Sequence, residues 1–132
     1  MKDWTAIRER YLRDDVAIRL GGLAANLLRV KSFCEHDENR DMVEGLIDES
    51  KFFIEWTASE AGIEVAAELA GFQVQLACWQ RQWASIWADA ERRRAVAVVV
   101  HDPLPALVRK ARRAEENLRH GGKYPPRTIP LR

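Results

Sequence analysis

The apolar positions of this chain fall into helical seams. Between residues 60 and 91, Val65, Leu69, Phe72, Leu76, Trp79, Trp83, Ile86 and Ala90 recur in alternating steps of four and three. That spacing predicts a long helix packed nearly parallel or antiparallel to its neighbours. A second line, Ala66, Ala70, Ala77, Ala84 and Ala88, is displaced by one residue, roughly 100° round the helix. Its small side chains predict another helix sliding along it.

The segment from Val16 to Cys34 repeats the pattern with Val16, Leu20, Leu23, Leu27, Val30 and Cys34. Before Asp14 the apolar residues Trp4, Ile7 and Tyr11 fall on roughly the opposite side of the same wheel. Either the helix kinks near Asp14–Asp15 or at Gly21–Gly22, or the N-terminal part meets a different surface. A third helix is predicted from about Glu38 to Thr57. Val43, Leu46, Ile47, Ser50, Phe53, Ile54 and Thr57 form one face, and Asp41, Glu44, Asp48, Lys51 and Glu55 a narrow polar one. Phe52 and Trp56 widen the apolar arc to roughly 200°, more than a one-sided surface helix needs. The capping-box spacing of Thr57 and Glu60, followed by Gly62, predicts a tight turn. One uninterrupted helix through Gly62 is the alternative.

After Arg94 the pattern changes. Ala95–Val100 is apolar and β-branched, and fits a helix end, a connector or a short strand. Asp102-Pro103 is a cap and first-turn pair that opens a helix with Leu104, Leu107, Val108, Ala111, Ala114 and Leu118 on one side; Gly121-Gly122 ends it. The tail KYPPRTIPLR is rich in proline and reads as extended. The expected fold is all-α: an antiparallel, up-and-down bundle of about four helices over residues 1–120, with an extended tail over 121–132.

Composition narrows the class. A chain of 132 residues, 47% hydrophobic and 31% charged, is a single soluble globular domain rather than a disordered one. The charged start lacks the apolar stretch of a signal peptide, and no run is long enough to span a membrane. Two cysteines, Cys34 and Cys78, are too few for a disulfide framework. The expectation is a cytoplasmic protein with reduced thiols and no membrane partner.

The net charge of +1 conceals a division. Residues 35–60 carry nine acids against Arg40 and Lys51, a net of −7, while residues 91–132 carry eleven Lys/Arg against four acids, a net of +7. Such polarity predicts internal pairing, a partner that reads one sign, or self-association. If the last helix packs beside the acidic one, the two charges neutralise each other.

Candidate chemistry is sparse. Trp79, Trp83 and Trp87 could stack bases or an aromatic ligand, but Trp79 and Trp83 lie on the core seam. Trp87, at the edge of that stripe, joins Phe52 and Trp56 as candidate anchors of a protein interface. No Glu-x-x-His pair exists for a di-iron bundle, and Cys34-x-His36 lacks a second ligand pair for zinc. Asp41, Glu44 and Asp48, with Glu60, Glu64 and Glu68, resemble in kind the carboxylates of all-helical nucleotide pyrophosphohydrolases. The second pair that such a Mg²⁺ site needs is missing, which leaves Asp41, Glu44, Asp48 and Glu64 as weak metal candidates. Arg113 and His120 have the Arg-x6-His spacing of helical HEPN ribonucleases, a spacing any Arg-rich helix ending in His produces. His101-Asp102 lacks the other members of an HD phosphohydrolase site, and no phosphate loop or nucleophile elbow is present. No cofactor is implied. The basic residues Arg92, Arg93, Arg94, Arg109, Lys110, Arg112, Arg113, Arg119 and Lys123, with Arg127 and Arg132, are a candidate phosphate-binding patch.

The stretches LGGLAANLLRVKSF, DESKFFIEWT and QVQLACWQRQWASIW together resemble a small all-helical family of uncharacterised bacterial proteins of cyanobacterial type. The resemblance covers about residues 16–90. It implies a helical bundle with no assigned activity, and carries no catalytic residue across.

Three functions are therefore expected, in order. The first is a non-enzymatic, self-associating or protein-docking bundle, homodimeric in its simplest form. The second is a nucleic-acid-binding accessory protein, and the third a Mg²⁺-dependent nucleotide hydrolase on the acidic ladder.

Overall fold

The computed structural model describes residues 2–101 and 104–121. Among them are seven α-helices, one 3-10 turn and no strand. They are α1 (Trp4–Leu12), α2 (Val16–Phe33), α3 (Arg40–Ala58), α4 (Ile63–Arg81), α5 (Trp83–Ala88), α6 (Ala90–His101) and α7 (Leu104–Gly121). The 3-10 turn, Asp37–Asn39, leads into α3. The chain is all-α, as its periodicity predicts, but it is divided into more pieces than four.

The seams explain the packing. Leu20, Leu23, Leu27 and Val30 of α2 meet Val43, Ile47 and Ile54 of α3 in one core, which continues through Leu69 and Leu76 of α4. Each fully buried aliphatic side chain of this kind contributes about 1.5–3 kcal/mol. α2 is the hub: α3, α6 and α7 all pack against it, α4 packs on α3, and α7 also touches α4.

The rotated face of the N-terminus marks a real break. α1 ends before Arg13, and α2 begins after the N-cap residue Asp15. Buried Arg19 holds the junction: its Nε donates to the Asp14 carbonyl at 2.8 Å, Nη2 to the Leu12 carbonyl at 3.2 Å, and Nη1 to Glu60 at 2.5 Å. Carbonyls freed at the end of α1 thereby find a donor. The Tyr11 hydroxyl donates to the Arg19 carbonyl at 2.7 Å and accepts from Thr57 Oγ1 at 3.3 Å. Three helices are tied at one point.

Several expectations change. The turn between α3 and α4 forms, but not through a capping box, since Thr57 is engaged by Tyr11 and Glu60 by Arg19. The long seam from Val65 to Ile86 stays buried, yet its helix is interrupted at Gln82 and at Asp89. Asp89 then caps α6, accepting from the amides of Glu91 and Arg92. Ala90, placed on the seam by its spacing, is exposed beyond that second break. The alanine line is not gripped by a neighbour, because Ala70, Ala84 and Ala88 are exposed. Ala95–Val100 is helical, forming most of α6, with Val96 and Val100 buried. The proline-rich tail, with Lys123, Arg127 and Arg132, lies outside the described residues, as do Asp102-Pro103 and the side chains of His101, Arg119 and His120.

Candidate functional site

The three aromatic anchors are accounted for within the chain. Trp4 of α1 lies against Phe52 with ring centroids 4.4 Å apart, and Phe52 stacks on Trp56 at 5.5 Å. Tyr11 stacks on Phe53 at 3.9 Å and leans on Trp56 at 5.9 Å. The surplus apolar arc of α3 is thus the seat of α1, and Phe52 and Trp56 are half-buried. Trp87 is not an exposed anchor: it is only 5% exposed. Its indole Nε1 donates to the Asp37 carbonyl at 2.7 Å, and its ring lies 5.4 Å from that of Trp83. The indole tip binds the turn before α3, which is why it cannot face solvent.

The basic residues separate into two groups. Arg92 and Arg93 fasten α5 to α6: Arg92 donates to Ser85 Oγ and Gln82 Oε1, and Arg93 donates to the Trp87 carbonyl while lying 5.3 Å over its ring. Arg94, and on α7 Arg109, Lys110, Arg112 and Arg113, are exposed. Lys110 pairs with Glu68 of α4 at 2.6 Å, and this hydrogen bond and charge hold its ammonium pKa above the ordinary lysine value.

The acidic and basic helices do not answer each other directly. α2 and α4 each contact both α3 and α7, whereas α3 and α7 are not packed together. Instead Glu49 of α3 takes Lys2 at 3.2 Å and Asn26 of α2 at 3.1 Å, and Asp48 accepts from Gln80 of α4. The expected neutralisation between these helices is absent among the described residues, and the molecule stays electrically polar.

Among the described residues, metal and acid–base chemistry finds little to work with. Asp41, Glu44 and Asp48 are exposed along α3, and Glu64 is exposed on α4. Among the described residues no group of three or more His, Cys, Asp or Glu is placed to hold a metal ion. Cys34 is buried, and that burial pushes its thiol up to about 11; Cys78 is exposed. Glu60, by contrast, is held below the usual carboxylate range by its hydrogen bond to Arg19. That shift belongs to the α1–α2 junction rather than to a cleft. Among the described residues, no helix is long and apolar enough to cross a membrane.

The outer side of α2 carries apolar side chains that no other element covers. Ile18 and Leu28 are 59% and 58% exposed, and with Gly21 and Ala25 they form a line of 3-4-3 spacing. This line lies about 200° round the helix from the buried seam of Leu20, Leu23, Leu27 and Val30. Gly21 and Leu28 of this line also border a groove of about 370 Å³ where α2 meets α6 and α7, with Ala24, Val100 and Val108 in its wall and Lys31, Arg109 and Arg112 at its rim. The outer line of α4, Ile63, Ala67, Ala70 and Val74, is also exposed, but it lies on a helix that packs less extensively on its neighbours than α2 does. The α2 line was present in the sequence as spacing, yet a segment as apolar as LGGLAANLLRV hides a second stripe behind the first.

No family model, curated protein or solved structure matches this chain.

Proposed function

We propose that this domain is a non-enzymatic, all-helical protein-interaction module that binds through the outer side of α2. The observation that carries the reading is the line Ile18, Gly21, Ala25 and Leu28, left uncovered on the hub helix beside a groove with a basic rim. Isolated exposed aliphatic residues are ordinary, but a helical line of them with large residues at both ends is the pattern a partner helix buries. The scaffold behind it is read as an up-and-down bundle of α2, α3, α4 and α7: short turns join α2 to α3 and α3 to α4, which pack in sequence, while α5 and α6 carry the chain across to α7.

Site-specific photocrosslinking in cells tests it. A crosslinking side chain at position 28 is expected to capture protein, whereas the same group at Glu44, on the exposed face of α3, captures none. Absence of any protein adduct through position 28 would remove the reading.

A second reading is supported by the charge geometry. Exposed Arg109, Arg112 and Arg113 sit on a helix not packed against acidic α3, so repulsion of a nucleic acid by the acidic segment is reduced. It requires binding to a short oligonucleotide that weakens steeply with salt and vanishes when all three arginines become Glu. Binding that ignores salt, or survives those changes, excludes it.

A further inference from the structure

We infer that the outer line of α2 is covered by the same line of a second copy of this chain, running antiparallel in a two-fold symmetric dimer. The inference rests on the reading of α2 as the protein-binding face and specifies its occupant. Four features of the molecule point there.

The line is its own mirror in sequence. Its steps of three, four and three are unchanged by reversal, so an antiparallel pair centred on Leu23 sets Ile18 against Leu28 and Gly21 against Ala25. A two-fold axis requires this self-complementarity, in which one residue meets a second and the second meets the first.

The sizes also fit. Large residues stand at the ends and small ones in the middle, where two helix axes come closest. A Cβ built at Gly21 meets nothing within 4 Å, so the centre of the line is open for another backbone to approach. At each end, Ile18 of one copy reaches the lip of the other copy's groove, where Leu28 stands beside Ala24 and Val108.

Charge selects the direction. Exposed Asp14 precedes the helix, while Arg29 and Lys31 lie at its far end. Antiparallel pairing brings this acid to the bases at both ends of the interface, and Lys31 already stands at the groove rim with Arg109 and Arg112. Parallel pairing sets acid against acid and base against base. The outer line of α4 also inverts onto itself, but it then places Glu64 opposite Gln73 and pairs no charge.

The contact is small. A strip of α2 about 27 Å long and one helix wide falls below the roughly 800 Å² per partner of a standard interface. The dimer is accordingly a reversible one, populated as concentration rises.

Sedimentation from micromolar to millimolar protein is the test, with oxidative crosslinking as its second arm. Wild type is expected to pass from monomer to dimer. Leu28→Asp, at a position exposed in the monomer, raises the dissociation constant by at least about tenfold and leaves the melting temperature of the monomer unchanged. In a Cys78→Ser background, a mixture of Ile18→Cys and Leu28→Cys chains forms a disulfide between the two variants, whereas neither variant alone does. In the antiparallel pair two copies of position 18 lie about 15 Å apart along the axis, beyond disulfide reach. A wild type that stays monomeric throughout, crosslinking of Ile18→Cys to itself, or a dimer abolished by Val74→Asp but not by Leu28→Asp each overturns the inference. A monomer that still captures a different protein through position 28 overturns the dimer alone. No protein captured through position 28 overturns the underlying reading as well.

Discussion

α2 and α3 both carry more apolar surface than one core can use, and the chain treats them differently. On α3 the excess is aromatic, and α1 folds back over it: Trp4 on Phe52, Tyr11 on Phe53 and Trp56. On α2 the excess is aliphatic, and Ile18 and Leu28 are left more than half exposed. Width of an apolar arc therefore does not by itself mark an interface. The chain must first be searched for a segment of its own that provides the cover, and only the remainder is available to a partner.

The sharpest way to break this contrast is to truncate neighbouring residues on the two sides of α2. Leu27 is fully buried, and Leu27→Ala is expected to cost about 2–5 kcal/mol through lost burial and the cavity left behind. Leu28→Ala, one residue on, should change monomer stability by less than about 0.5 kcal/mol. Urea unfolding at low protein concentration measures both. Equal losses would mean that the outer line is not a free surface.

The next effect tests how firmly α1 is seated. Burial pushes the Tyr11 hydroxyl from its usual value of 10 up to about 12. Because the folded pKa is raised, this stabilisation is fully present below pH 10 and is lost as pH climbs from 10 towards 12. The shift corresponds to roughly 2–3 kcal/mol. Stability measured across that alkaline range should fall in wild type, and the step should be missing in Tyr11→Phe. An unchanged alkaline profile in Tyr11→Phe would show that the hydroxyl is not sealed between the helices.

These sites also show what was legible in the chain. The inner seams of α2 and α3 could be read directly, because apolar periodicity is a consequence of burial on one side. The rotated positions Trp4, Ile7 and Tyr11 signalled a separate surface, though not that α3 supplied it. Interruptions at Gln82 and Asp89 were hidden, since neither is marked by glycine or proline and the seam continues across the first of them. Trp87 was misplaced because its polar atom finds a carbonyl, Asp37, that is 50 residues away in sequence. The charge division was visible, but which helices touch is a property of packing, and α2 and α4 come between α3 and α7 as neighbours of both.

A smaller effect asks whether the α3 side becomes like the α2 side when its cover is removed. Trp4 is half-buried, so Trp4→Ala should cost about 1–2 kcal/mol, less than a fully buried aromatic. The variant should also expose the Phe52–Trp56 pair, seen as increased binding of a hydrophobic dye and greater self-association. A variant that loses stability without gaining dye binding would show that another segment moves in to cover the pair.

The smallest change separates the fold from the proposed interface by sign. Gly21 sits inside α2, where glycine is less favourable than alanine by about 0.5–1 kcal/mol, and nothing surrounds the position where a Cβ would stand. Gly21→Ala should therefore stabilise the monomer by that amount in dilute unfolding experiments. In the antiparallel dimer the same methyl group lies opposite Ala25 at the closest approach of two helices, so it should push the axes apart and weaken association. Stability up and association down is the result that ties the open centre of the line to a second helix. If both rise together, the centre of the line is not where two copies meet, and the contact must be carried by its ends.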